Sequence, residues 1–116
     1  MERPESATFL PPPQAQFHVL VALTDGDKHG YAIMRAVESS SNDLVRMGPA
    51  TPYGTLKRLC DAGLTEELPH RPEPGDDQRR RYYRLSGLGR EVCLAEADRL
   101  ADLVQRSRTN LQQRPA

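Results

Sequence analysis

The sequence predicts a mainly α-helical fold with a small β-hairpin wing, a winged helix-turn-helix extended by a long C-terminal helix built for dimerisation. Three observations predict it. Three short segments with helical spacing follow one another between Gln14 and Gly63, two short alternating segments flank a loop rich in Pro, Gly and Asp, and an unbroken helical stretch runs on from Ser86.

The chain divides accordingly into residues 1–13, 14–85, 86–112 and 113–116. The first segment holds Pro4 and the run Pro11-Pro12-Pro13, which reads as a flexible or extended N-terminal arm. From Gln14 the pattern turns helical, with Phe17, Val19, Leu20, Val21, Ala22 and Leu23 as a largely buried stripe, and Thr24-Asp25-Gly26-Asp27 supplies turn chemistry to end it. A second helix is expected from about Gly30 to Ser40, burying Tyr31, Ile33, Met34 and Val37, until the polar stretch Ser39–Asp43 stops it.

Gly48-Pro49-Ala50-Thr51-Pro52 reads as a helix start, because proline is tolerated where backbone N–H groups lack partners. Either Thr51 caps this third helix or it begins one turn earlier, at Pro49. Tyr53, Leu56 and Leu59 anchor it, Lys57 and Arg58 point outward, and Ala62-Gly63 closes it. Two strands follow, at roughly 64–69 and 80–85. Alternation puts Tyr83 and Leu85 on one face and Tyr82 and Arg84 on the other. The intervening Arg71–Gln78 stretch is a polar loop.

Ser86 has the chemistry of an N-cap for a last helix reaching about Leu111. At about 1.5 Å per residue it is a rod of roughly 37 Å, longer than the preceding body needs. Cys93, Ala97, Leu100, Val104, Ser107 and Leu111 recur at alternating spacings of four and three, a weak coiled-coil-like seam. Leu88, Val92 and Leu103 are left to pack on the body. The seam reads either as a dimer face or as ordinary packing on the first helix.

Composition narrows the function. The 116 residues carry 16 basic and 16 acidic side chains, so the average charge does not advertise nucleic-acid binding. The distribution does: the run Arg79-Arg80-Arg81 with Arg84 concentrates positive charge on the predicted hairpin. Cys60 and Cys93 are too far apart for a metal-type or redox-type motif, and His18, His29 and His70 are scattered. No nucleophile–base pair, paired carboxylates or Gly-rich phosphate cradle appears, so neither a catalytic role nor a cofactor is expected. The apolar runs are too short to span a bilayer and the N-terminus lacks a signal-peptide layout, so a cytoplasmic protein is expected.

Three helices followed by a basic hairpin suit duplex DNA. An α-helix fills the major groove, where base edges are readable, and Thr51, Tyr53, Thr55, Lys57 and Arg58 sit on or near the outer, N-terminal part of the third helix. A hairpin carrying Arg79, Arg80 and Arg81 can straddle the neighbouring backbone and neutralise phosphates. The arginine run could instead be a solvated edge, and Tyr53 a core ring. A winged helix serving as a protein-interaction module without DNA binding is the competing reading.

From about Phe17 to Leu111 the chain resembles the PadR family of bacterial transcriptional regulators, in its form with a shorter C-terminus. Four segments carry the resemblance: Phe17 to Gly26 with His29-Gly30-Tyr31-x-Ile33; Gly48 to Leu59 with Ala62-Gly63-Leu64; Arg79-Arg80-Arg81-Tyr82-Tyr83-Arg84-Leu85; and Ser86-x-x-Gly89-Arg90. The resemblance implies a homodimer joined through the last helix with help from the first, which would place Phe17, Leu20, Cys93, Ala97, Leu100, Val104 and Leu111 at the interface. It also implies repression through a palindromic operator, relieved by a small-molecule effector. Thr51 and Tyr53 then fall on the recognition helix, Arg79 and Arg80 on the wing, and His29 and Tyr31 beside a backbone phosphate. Pro52 departs from the family pattern, and the last helix lacks the tryptophan some relatives stack against flat ligands.

Overall fold

The structure is a computed structural model that describes residues 5–46, 51–68 and 81–113, with Thr51 and Pro52 described as backbone. Four helices and a small antiparallel sheet follow one another: α1 (Gln14–Ala22), β1 (Lys28–His29), α2 (Gly30–Ser40), α3 (Thr51–Asp61), β2 (Thr65–Glu67), β3 (Tyr82–Leu85) and α4 (Gly87–Gln113). The core lies between α1, α2, α3 and the first half of α4. Val19, Leu20, Ile33, Val37, Leu59 and Val92 are all fully buried there. Burying each such side chain is worth about 1.5–3 kcal/mol before entropy is counted, so this cluster is what holds three short helices together.

Each helix ends where its local chemistry requires. The Nδ1 of His29 accepts the Ala32 N–H at 3.3 Å and so caps the start of α2. Past Ser40 the chain turns through Asn42 and Asp43, both at positive φ, a region these two residues tolerate better than most. After α3, Gly63 adopts φ +81°, the Gly63 N–H reaches the Cys60 carbonyl and the Leu64 N–H the Leu59 carbonyl. That pair of bonds is a Schellman ending, and only glycine takes its left-handed position without strain.

The sheet has the order β1-β3-β2. β2 pairs with β3 in the register Thr65↔Leu85, Glu66↔Arg84 and Glu67↔Tyr83. Tyr83 and Leu85 are buried and Arg84 is exposed, matching the expected alternation, and Tyr82 is half-buried. The sequence gives no hint of β1, in which Lys28 and His29 pair with Tyr83 and Tyr82. Two residues are too few to show an alternation, and the pairing exists only because β3 is there to receive them.

Several expectations need correction. The supposed flexible arm is in part ordered: Glu5–Phe9 form a 3-10 turn that packs chiefly against α4, with Ser6 buried and Phe9 and Leu10 against the core. The prolines at 4 and 11–13 flank this turn without entering it, and the apolar contacts of Phe9 and Leu10 hold it in place. Tyr31 is 56% exposed, because α2 turns Ile33 and Val37 inward and Tyr31 does not share their face. Leu103 is 55% exposed and does not pack on the body. The end of α4 runs on past the core and is exposed almost throughout.

Candidate nucleic-acid interface

The third helix divides cleanly into two faces. Thr55, Leu56 and Leu59 point into the core, whereas Tyr53, Gly54, Lys57, Arg58 and Asp61 are exposed. Thr55 is therefore not on the outward face where the sequence placed it; it lies four residues before Leu59, on the same side of the helix, and is 5% exposed. Tyr53 is 57% exposed, so it is not a core ring. Lys57 Nζ donates to Asp61 Oδ2 at 3.0 Å across one turn. Among the described residues Arg58 makes no ion pair, which leaves it the face's available cation. The side chain of Thr51, the start of the helix before it, and Arg79 and Arg80 lie outside the described residues.

Tyr53 also joins α3 to α2. A Cβ on Gly30 would lie 3.2 Å from Tyr53 Cε1, so glycine at the start of α2 is what lets that ring lie flush against it. The next residue, Tyr31, is exposed on α2 and accepts a hydrogen bond from Arg35 Nη1 at 3.2 Å, with the guanidinium 5.8 Å from the ring centre. Both contacts favour the charged guanidinium, which the nearby Tyr31 hydroxyl holds above its ordinary pKa. Sequence reasoning overlooked Arg35, although its position one turn after Tyr31 was a readable signal. His29 completes this corner: besides capping α2, its ring meets Tyr82 edge to face, 5.3 Å between centres at 88°.

At the stem of the wing, Arg84 reaches Glu66 across the strands, with Nη2 3.2 Å from Oε2, on the outer face of the sheet. Arg81 Nε stands 3.6 Å from Glu67 Oε1. Tyr83 lies on the buried face, and burial above all raises its phenol pKa, with the carboxylate of Glu67 adding to the shift. The tip of the wing lies outside the described residues.

The residues expected at a dimer interface do not stay together. Leu20 is fully buried in the chain's own core and Cys93 is 7% exposed, so neither has surface left for a partner. Burial raises the Cys93 thiol pKa, which disfavours the reactive thiolate. Phe17 and Leu100 are half-buried, and Ala97, Val104 and Leu111 are exposed. The exposed end of α4 carries a shallow groove lined by Leu103, Val104, Arg106, Ser107 and Asn110.

Among the described residues, no helix is long and apolar enough to cross a membrane. Residues 19–95 match the family described as the transcriptional regulator PadR-like family. The chain is 43% identical over 89 residues to a protein described as an uncharacterized 37.1 kDa protein in transposon TN4556 of Streptomyces fradiae; the match spans 77% of this chain and about a quarter (24%) of that relative. Its fold is that of a PadR family transcription regulator from Clostridium difficile, with a TM-score of 0.70, 19% identity and coverage of 85% of this chain and 99% of that one. Bacillus subtilis PadR, solved in complex with operator DNA, superposes with a TM-score of 0.61 at 19% identity, covering 72% of this chain and 46% of that one.

Proposed function

The chain belongs to the PadR-like family of transcriptional regulators, and on that premise we propose that it binds duplex DNA sequence-specifically, as a cytoplasmic homodimer. α3 enters the major groove, and Tyr53, Lys57 and Arg58 meet DNA from it. Thr51, at its start, meets DNA as well. The wing arginines Arg79, Arg80 and Arg81 neutralise adjacent phosphates, and Tyr31 and His29 lie beside the backbone at the start of α2. Two copies joined through α4 read a palindromic operator, because two-fold protein symmetry asks for two-fold site symmetry. The protein acts as a repressor, and a small-molecule effector releases it.

The observation that carries the reading is the split of α3: its inward face is used by the core, while its outward face offers an exposed ring and an available cation. That Bacillus subtilis PadR has been solved with operator DNA supports it. The test is a fluorescence-anisotropy titration against duplex from immediately upstream of the protein's own gene, with a scrambled duplex alongside, at two salt concentrations. Preference for the upstream duplex is expected, and Arg79→Ala with Arg80→Ala should weaken binding and flatten the log–log salt dependence by about 1–2. A folded dimer that bound neither duplex would overturn the proposal in favour of a protein-interaction module.

A further inference from the structure

The two carboxylates of β2 stand on opposite faces of the sheet. Side chains alternate along a strand, and the register sets Glu66 opposite Arg84 and Glu67 opposite Tyr83. Thr65, Tyr83 and Leu85 are buried, so theirs is the face turned to the core. Glu67 shares that face at its open end and Glu66 does not. Cys60 Sγ of α3 lies 3.1 Å from Thr65 Oγ1 on that face, which puts the Glu67–Arg81 pair on the α3 side of the wing. Glu66 and Arg84 pair on the far side.

A carboxylate beside a surface that meets phosphates has two effects. It repels them, and it occupies the guanidinium they would otherwise attract. We propose that Glu67 is a brake on sequence-independent DNA affinity, holding Arg81 in an internal ion pair that phosphate must displace before Arg81 contributes to binding. This inference rests on the DNA-binding reading above. The pair suits exchange: the Arg81 and Glu67 side chains are 70% and 46% exposed, and at 3.6 Å their contact is loose. Phosphates carry no sequence information, so the brake acts on any duplex, and base contacts from α3 decide where the protein stays.

Glu66 supplies the control. Anisotropy titrations of the full-length chain, Glu67→Gln, Glu66→Gln and the double variant Glu67→Gln with Arg81→Ala use the upstream and scrambled duplexes between about 50 and 200 mM salt. Glu67→Gln should tighten binding to both duplexes about fivefold at low salt, the scale of one exposed charge pair. It should steepen the salt slope by up to about 0.9, because Arg81 then meets its phosphate without first giving up Glu67. Glu66→Gln should change neither, and removing Arg81 should abolish the gain. The inference is overturned if Glu67→Gln binds like wild type or more weakly, if both glutamine variants shift alike, or if the gain survives loss of Arg81. Wild-type chain that bound neither duplex would remove the DNA-binding reading and this inference together, whereas wild-type binding with a silent Glu67→Gln removes this inference alone. Thermal melts of each variant establish that folding is unchanged.

Discussion

The two halves of α4 are one continuous helix, yet they answer to different constraints. From Gly87 to about Arg99 the helix is part of the body, with Gly89, Val92, Cys93 and Glu96 buried. From there to Gln113 it is exposed almost throughout, and Leu103, Val104 and Leu111 stand 55%, 49% and 71% accessible. The proximal half is held by geometry as much as by apolar area. Ser86 Oγ donates to the Gly63 carbonyl at 2.6 Å and accepts the Gly89 N–H at 2.9 Å, tying the end of α3 to the start of α4. Among the described residues the distal half has no such ties. A helix that leaves the core keeps its backbone hydrogen bonds but gains nothing from its apolar side chains until another surface covers them. The contrast separates the part of α4 that the fold needs from the part it leaves exposed.

The largest effect should come from Gly89. A Cβ there would sit 1.9 Å from the Leu64 carbonyl oxygen, a contact with backbone that no rotamer relieves. Gly89→Ala should therefore cost about 3 kcal/mol or more and push α4 away from Leu64, read as a lowered urea midpoint. An unchanged midpoint would mean that the close approach of α4 to Leu64 is not a fixed feature of the fold. Truncation is expected to follow the same divide. Val92→Ala should cost about 2–3 kcal/mol through the cavity it leaves in the core. Val104→Ala should cost less than about 0.5 kcal/mol in dilute protein, and its effect should grow with protein concentration if the distal half joins two copies.

The smallest expected effect is a pH dependence. Glu96 is 4% exposed, and its carboxylate takes a bidentate pair from Arg99 at 2.6 and 2.9 Å. The Arg99 hydrogen bond holds its pKa below the ordinary carboxylate range, outweighing the upward push of burial. A lowered folded-state pKa stabilises the fold above the unfolded-state value, and that stability is lost as pH falls through the lowered value. Melting temperature measured from pH 7 down to about 3 should fall in the acid limb. In Arg99→Ala burial acts alone and pushes the Glu96 pKa upward, which reverses the sign: the melting temperature should be lower at pH 7, and the fall in the acid limb should shrink. An unchanged limb would show that Glu96 does not need its partner.

Much of this was legible in the residues. The boundaries of α2, the glycine ending of α3, the cap at Ser86 and the alternation of β3 follow from local chemistry that acts within a few residues. So does the outward placement of Lys57 and Arg58. The misplaced residues share a different cause. Thr55 and Tyr31 occupy helix positions where either polarity or size suggests a face, but the neighbouring elements decide which face is covered. Cys93 fits a dimer seam by spacing and the family resemblance adds Leu20, and only the packing of α1, α2 and α4 reveals that the chain has already used them.

The sequence by itself determined the order of elements, their ends and the concentration of arginines on the wing, since helical and strand periods and turn preferences are properties of short segments. Tertiary structure alone decided the pairing of Lys28 and His29 with β3, the seat of Glu5–Phe9 on α4, the close contact of Gly89 with Leu64 and the opposite faces of Glu66 and Glu67. Each of those depends on which distant surface arrives alongside, and no local pattern encodes the distance between two segments before the core has brought them together.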